Sequence, residues 1–143
     1  MGLRERESGK VIALPINDLT ARGMAKVVLK YVVRGSFVCT DEYHGYNHLH
    51  RSYEHWSINY TRGEYGDGEV HTNGIESIWA VLKRGYRGIY HHWSKKHMAR
   101  YVNEFVFRLN NRYDSDNTMG RVENMIRNAF DKRLTYKQLT EEP

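Results

Sequence analysis

The apolar and polar positions of this chain change period several times, and each change marks an element. Lys10–Ile16, KVIALPI, is short, apolar and β-branched, which predicts a strand. In NDLTARGMAKVVLKYVV, which follows it, Leu19, Met24, Val27, Val28, Tyr31 and Val32 recur at helical spacing on one broad face. Asn17 or Asp18 is the expected N-cap, and Arg34-Gly35 the expected end. Ser36–Thr40, SFVCT, reads as a second buried strand that stops at Asp41. About 19 residues separate the two strands. That is the size of a βαβ crossover, so the pattern predicts that they pair in parallel.

The middle of the chain is less regular. DEYHGYNHLHRSYEH predicts a short helix packing its Tyr and Leu residues, and WSINY an edge strand. Thr61–Glu69 holds three glycines and no apolar pattern, which predicts a mobile loop. From His71 the period is helical again, with Ile75, Ile78, Trp79 and Leu82 as the apolar face. Ser94 is positioned to cap a helix running to about Arg112, with Met98, Val102, Phe105 and Leu109 inward. A further helix is expected over Thr118–Arg133. No internal repeat or interdomain linker interrupts this order, so residues 1–143 read as one α/β domain.

Composition narrows the classes. At 143 residues and 40% hydrophobic the chain is long and apolar enough for a real core. One cysteine, Cys39, rules out an intrachain disulfide and suits a reducing cytoplasm. The first residues are charged with no apolar run behind them, which is not the pattern of a secretion signal. No apolar stretch is long enough for a membrane span, and none is expected. The net charge of +5 is compatible with a nucleic-acid partner without requiring one.

Candidate chemistry gathers in two places. Asp41 sits where a buried strand ends, and in open α/β sheets ligands collect at the carboxyl ends of strands. On the helix starting near His71, Asn73, Glu76, Ala80 and Lys83 share a stripe about 80° wide, beside the apolar face. Glu76 can therefore point across at the strand carrying Asp41, with the small Ala80 leaving room for a ligand. Lys83, Arg84, Arg87, His91, His92, Lys95 and Lys96 follow at once, interleaved with Tyr86, Tyr90 and Trp93. Cations among aromatic rings suit phosphates and unstacked bases. An oxygen-rich site without thiolates suits Mg2+ or Mn2+.

These residues also carry a resemblance. TDEYHGY, followed by HTNGIESIWAVLKRGYRGIYHHWSKKHMARYVNEFVFRLNNR, resembles insertion-sequence transposases of the ISXO-two-like type, in the DDE superfamily. The likeness covers roughly residues 10 to 112, and the tail RLTYKQLT is similar to the family's ending. What the resemblance implies is an RNase H-like catalytic domain acting in DNA transposition. Three side chains would hold divalent cations for phosphodiester hydrolysis and strand transfer, on transposon ends and target DNA. Asp41 matches the second acid. Asn73 and Glu76 are both candidates for the third position, with Glu76 favoured because it lies 35 residues beyond Asp41. Lys83 resembles the family's basic residue expected on DNA. Work as a homo-oligomer is likewise implied. The family's first acid belongs on a strand upstream of the one resembling Lys10–Ile16. The chain therefore reads as an N-terminally truncated, partial RNase H-like domain whose own catalysis is impaired.

Three other readings compete. A non-catalytic basic nucleic-acid-binding module keeps the cations and discards the acids. A zinc site could draw on eight histidines, among them His44 and His48 four apart, though no ligand spacing is recognisable. A structural interaction protein would use the apolar residues of the helix after Ser94.

Overall fold

Parallel pairing does occur in this chain, but between different strands from those expected. The computed structural model describes residues 1–58, 71–112, 118–130 and 135–140. Their contacts divide the chain into two units, one of Ile16–Arg84 with Met1, the other of Gly2–Pro15 with Gly85–Pro143. The expected glycine loop, Thr61–Glu69, lies outside the described residues, as do the last two residues of WSINY.

In the first unit, α1 spans Ala21–Tyr31 and buries Gly23, Met24 and Val28. Its cap is Thr20, whose Oγ1 accepts the Gly23 N–H at 3.1 Å. Asp18 stands one step further out. Its Oδ1 accepts both the Thr20 N–H, at 3.0 Å, and the Thr20 hydroxyl, at 2.6 Å. These bonds hold the Asp18 carboxyl below its ordinary range. The expected cap thus supports the actual one: a carboxylate that fixes Thr20 leaves the hydroxyl oxygen aimed at the helix. The helix ends at Tyr31, earlier than Arg34, and Gly35 turns the chain at φ +81° with its N–H on the Ser52 carbonyl.

Strand β1 is Gly2–Arg4 and β2 is Val11–Ala13, both in the second unit; β3 is Phe37–Asp41 and β4 is Glu54–Ile58. β3 pairs in parallel with β4, Phe37 opposite Glu54 and Asp41 opposite Ile58. Their connection, Glu42–Tyr53, is a dozen residues long, near the minimum for a parallel crossover. Two 3-10 turns, His44–Tyr46 and Leu49–Arg51, replace the expected short helix. Leu49 and Tyr53 are buried, and the Tyr53 hydroxyl donates to the Val32 carbonyl at 3.0 Å. Gly45 lets the first turn lie on α1. A Cβ there would come within 3.1 Å of the Met24 side chain and 2.5 Å of the Tyr43 ring. Helix α2, Asn73–Gly85, buries Ile78 and half-buries Ile75, Trp79 and Leu82, as the periodicity predicts.

In the second unit, β1 pairs antiparallel with β2, Leu3 opposite Ile12. This corrects the predicted parallel pairing of Lys10–Ile16 with Ser36–Thr40; among the described residues, β2 and β3 belong to separate two-stranded sheets. The physical reason lies at Val11. Its N–H donates to Asn110 Oδ1 and its carbonyl accepts from Asn110 Nδ2, both at 2.8 Å. A side-chain amide occupies the edge that a further strand would need there. Asn110 is the last residue of α3, Met98–Asn110, which packs on β2 and buries Val102 and Phe105. Ser94 caps as expected, its Oγ accepting the His97 N–H across the 3-10 turn Lys95–His97 that leads into α3. α4 covers Thr118–Ala129 and α5 Tyr136–Thr140. No helix of the described residues is long and apolar enough to cross a membrane.

Candidate functional site

Asp41 is the last residue of β3, exposed at the carboxyl end of the parallel pair. Its Oδ1 accepts the Tyr43 N–H at 3.2 Å, a turn that fixes the carboxylate as the strand ends. It opens into a polar hollow of about 240 Å³ lined also by Glu42, Tyr43, Tyr46, Asn47, His50, His55 and Ser57. The hollow exists because the short crossover folds back over the strand end, placing His50 and the β4 residues His55 and Ser57 beside Asp41.

His55 is the best-fixed group there. The Thr40 hydroxyl donates to the Asp41 carbonyl at 2.8 Å, and a hydroxyl has one proton. Its contact with His55 Nε2 at 2.9 Å is therefore one in which the imidazole donates. That assigns the proton to Nε2 and leaves Nδ1 as an acceptor. Burial, then the nearby His50, lower the His55 pKa from its ordinary value, so the ring is neutral at pH 7. Burial and then the Asp41 charge raise the Tyr46 phenol. In the sequence these histidines offer no more than a zinc candidate without recognisable ligand spacing. Their place beside Asp41 has no sequence signal, because only the 3-10 turns bring them there.

Asn73 and Glu76 occupy the first turn of α2, both exposed, and neither lines the hollow. Glu76 Oε1 accepts from the buried Thr72 hydroxyl at 2.5 Å. The Thr72 carbonyl in turn accepts the N–H of Glu76. Among the described residues, no group of three His, Cys, Asp or Glu side chains is placed to hold a metal ion.

The basic segment begins at the end of α2, where Lys83 and Arg84 are exposed. The helix then widens into a π-helical turn, Tyr86–Tyr90, ended by His91 at φ 55°. Arg87, His91, His92 and Lys95 are exposed, and among the described residues they enter no ion pair. Tyr90 does something different from its neighbours. Its ring packs edge-on against Trp93 and Tyr101, centroids 5.6 and 5.3 Å away, and its hydroxyl donates to Glu104 at 3.1 Å. Burial first, then Glu104, raise its pKa. Lys96 donates to the Thr140 carbonyl of α5 at 2.8 Å.

An acid at a strand's carboxyl end and a run of exposed cations belong, in this chain, to a DNA transposase domain. More particularly, a family model of the ISXO2-like transposase domain matches residues 1–110, and the chain belongs to that family. The match takes in β1 and stops at Asn110, short of the tail RLTYKQLT. No curated protein and no solved structure matches the chain.

Proposed function

We propose that this chain contributes the catalytic surface of an RNase H-like transposase domain, with Asp41 as a metal-holding acid and Glu76, or Asn73, as the third position. The observation that carries the reading is Asp41 itself, an exposed carboxylate at the carboxyl end of a parallel strand, opening into a polar hollow. The oxygen donors there, carboxylate, amide and hydroxyl, suit Mg2+ or Mn2+. Mg2+ is commonly bound by one or two carboxylates plus waters and substrate phosphates. A divalent cation would supply Lewis-acid polarisation of a phosphodiester and a lowered pKa for its attacking hydroxyl.

The chain's own residues supply the rest. The Tyr43 N–H holds Asp41 in one orientation. Thr40 fixes the His55 ring through Nε2, and burial first, then His50, favours its neutral form, which adds no competing positive charge. Lys83, Arg84, Arg87 and Lys95, with His91 and His92, offer contacts for the phosphates of transposon ends and target DNA. Residues 1–143 act as part of one catalytic domain in a homo-oligomer.

Paramagnetic Mn2+ tests the site without needing activity. Titrated into isotope-labelled protein, it should broaden resonances of Asp41, His50 and His55 selectively, and Asp41→Asn should abolish the effect. Broadening that survives Asp41→Asn sinks the metal assignment. A non-catalytic binding module would draw on the exposed cations alone; tight, salt-dependent DNA binding with no Mn2+ response near Asp41 or Glu76 would establish it.

A further inference from the structure

The segment after α2 is built in a way that phosphate contact alone does not need. Its helix leaves α geometry for the π-helical turn Tyr86–Tyr90, a rare form found often at functional sites. It then closes through His91 at φ 55°, ψ −35°, with the His92 N–H on the Tyr90 carbonyl at 2.5 Å. That is the rare, strained kind of γ-turn, at a residue with a Cβ. The surroundings hold the strain in place. Tyr86 and Tyr90 meet the Trp93 ring edge-on at 5.3 and 5.6 Å, and Trp93 stacks on Tyr101 of α3 with the planes 6° apart. Tyr90 is tied to Glu104, which Arg108 also binds at 2.7 Å.

What this anchored turn lifts furthest into solvent is an aliphatic side chain, beyond the partly exposed Tyr86. Ile89 is 72% exposed, and Gly88 before it has open space where a Cβ would stand. Arg87, His91, His92 and Lys95 flank it along the chain, all exposed. A protein partner would favour a contiguous apolar patch with few charges at its centre. A single aliphatic tip with exposed cations and imidazoles on either side of it in the chain is complementary instead to a polyanion with an apolar interior, which is what a stacked duplex is.

We propose that Ile89 is a DNA-opening wedge. It enters between adjacent base pairs and unstacks them, while Arg87 and Lys95 hold the flanking phosphates. Aliphatic side chains backed by basic residues open and kink base steps in this way. An aliphatic wedge cannot read base edges by hydrogen bonding, so the step it enters is chosen by ease of unstacking, as at flexible pyrimidine–purine steps. This inference rests on DNA being the partner.

The test uses the full 143-residue chain and short duplexes bearing one 2-aminopurine, a base whose fluorescence rises when it unstacks, at successive positions. Binding is followed separately by anisotropy at low salt. Wild type should raise the fluorescence at one or a few steps. Ile89→Ala should bind within a few-fold of wild type yet lose most of that rise at saturation; its high exposure makes misfolding of the variant a minor concern, which far-UV circular dichroism checks. Arg87→Ala with Lys95→Ala should weaken binding several-fold and keep the full rise once saturated. An undiminished rise with Ile89→Ala overturns the wedge and leaves DNA binding standing. So does an Ile89→Ala variant that changes only the sedimentation of the protein, which would make Ile89 a contact between chains. Failure of wild type to bind any duplex overturns the wedge together with the DNA reading.

Discussion

Replacing Asn110 by Ala should loosen the second unit more than any single exposed polar substitution. The amide makes two hydrogen bonds to the backbone of Val11, 99 residues away, each at 2.8 Å and part-buried. Alanine removes both and leaves a buried strand residue with an N–H and a carbonyl unmatched on that side. At about 0.5–1.5 kcal/mol for each bond, the loss should be about 1–3 kcal/mol. For a chain of this size that lowers the melting temperature by roughly 3–12 °C. Asn111 supplies the control. Its Nδ2 donates to the Phe107 carbonyl at 2.8 Å, a bond within one helix end, so Asn111→Ala should cost about 1 kcal/mol or less. Urea unfolding followed by tryptophan fluorescence measures both, and amide hydrogen exchange at Val11 gives a local readout that should accelerate only in Asn110→Ala. If Asn110→Ala is as stable as Asn111→Ala and Val11 exchange is unchanged, the side-chain amide does not close the strand edge.

Three further outcomes follow from the geometry. The lowered pKa of His55 means that the unfolded chain binds the proton more readily, so its contribution is whole above about pH 6.5 and is lost as the pH falls below it. Denaturation midpoints between pH 7 and 5 should therefore fall less steeply in His55→Gln than in wild type, and equal slopes would refute the burial argument. Thr20→Ala removes the α1 cap and should cost about 1 kcal/mol, with Asp18→Ala costing less because Thr20 can still reach Gly23; calorimetry showing the reverse order would assign the cap to Asp18. Each of Lys83, Arg84, Arg87 and Lys95 that touches a phosphate should, as alanine, flatten the salt dependence of log affinity by about 0.9, whereas Lys96→Ala, already engaged with Thr140, should change it less.

Local patterns were readable directly from the chain. The periods of α1, α2 and α3, the Ser94 cap and the exposed cations depend on residues within a turn or two of one another, and such signals are written in sequence order. The family motif was legible for the same reason, since its residues lie close together along the chain. The α1 cap was missed by two positions because Asn, Asp and Thr all compete for that role and only the hydrogen bonds decide among them.

Tertiary structure alone decided the strand partners. A strand's period says which side chains share a face and nothing about whose backbone satisfies its edge. β2 could have met β3 by every rule of spacing, yet its edge at Val11 is taken by an amide from the end of α3. The same holds for Tyr90, whose ring is committed to Trp93 and Tyr101 while its neighbours stay exposed, and for His55, which a short crossover carries to Asp41. The sequence determined the elements and the chemistry available to them. Which groups meet depended on long-range packing, because hydrogen bonds and apolar contacts between distant segments are settled by competition across the whole fold.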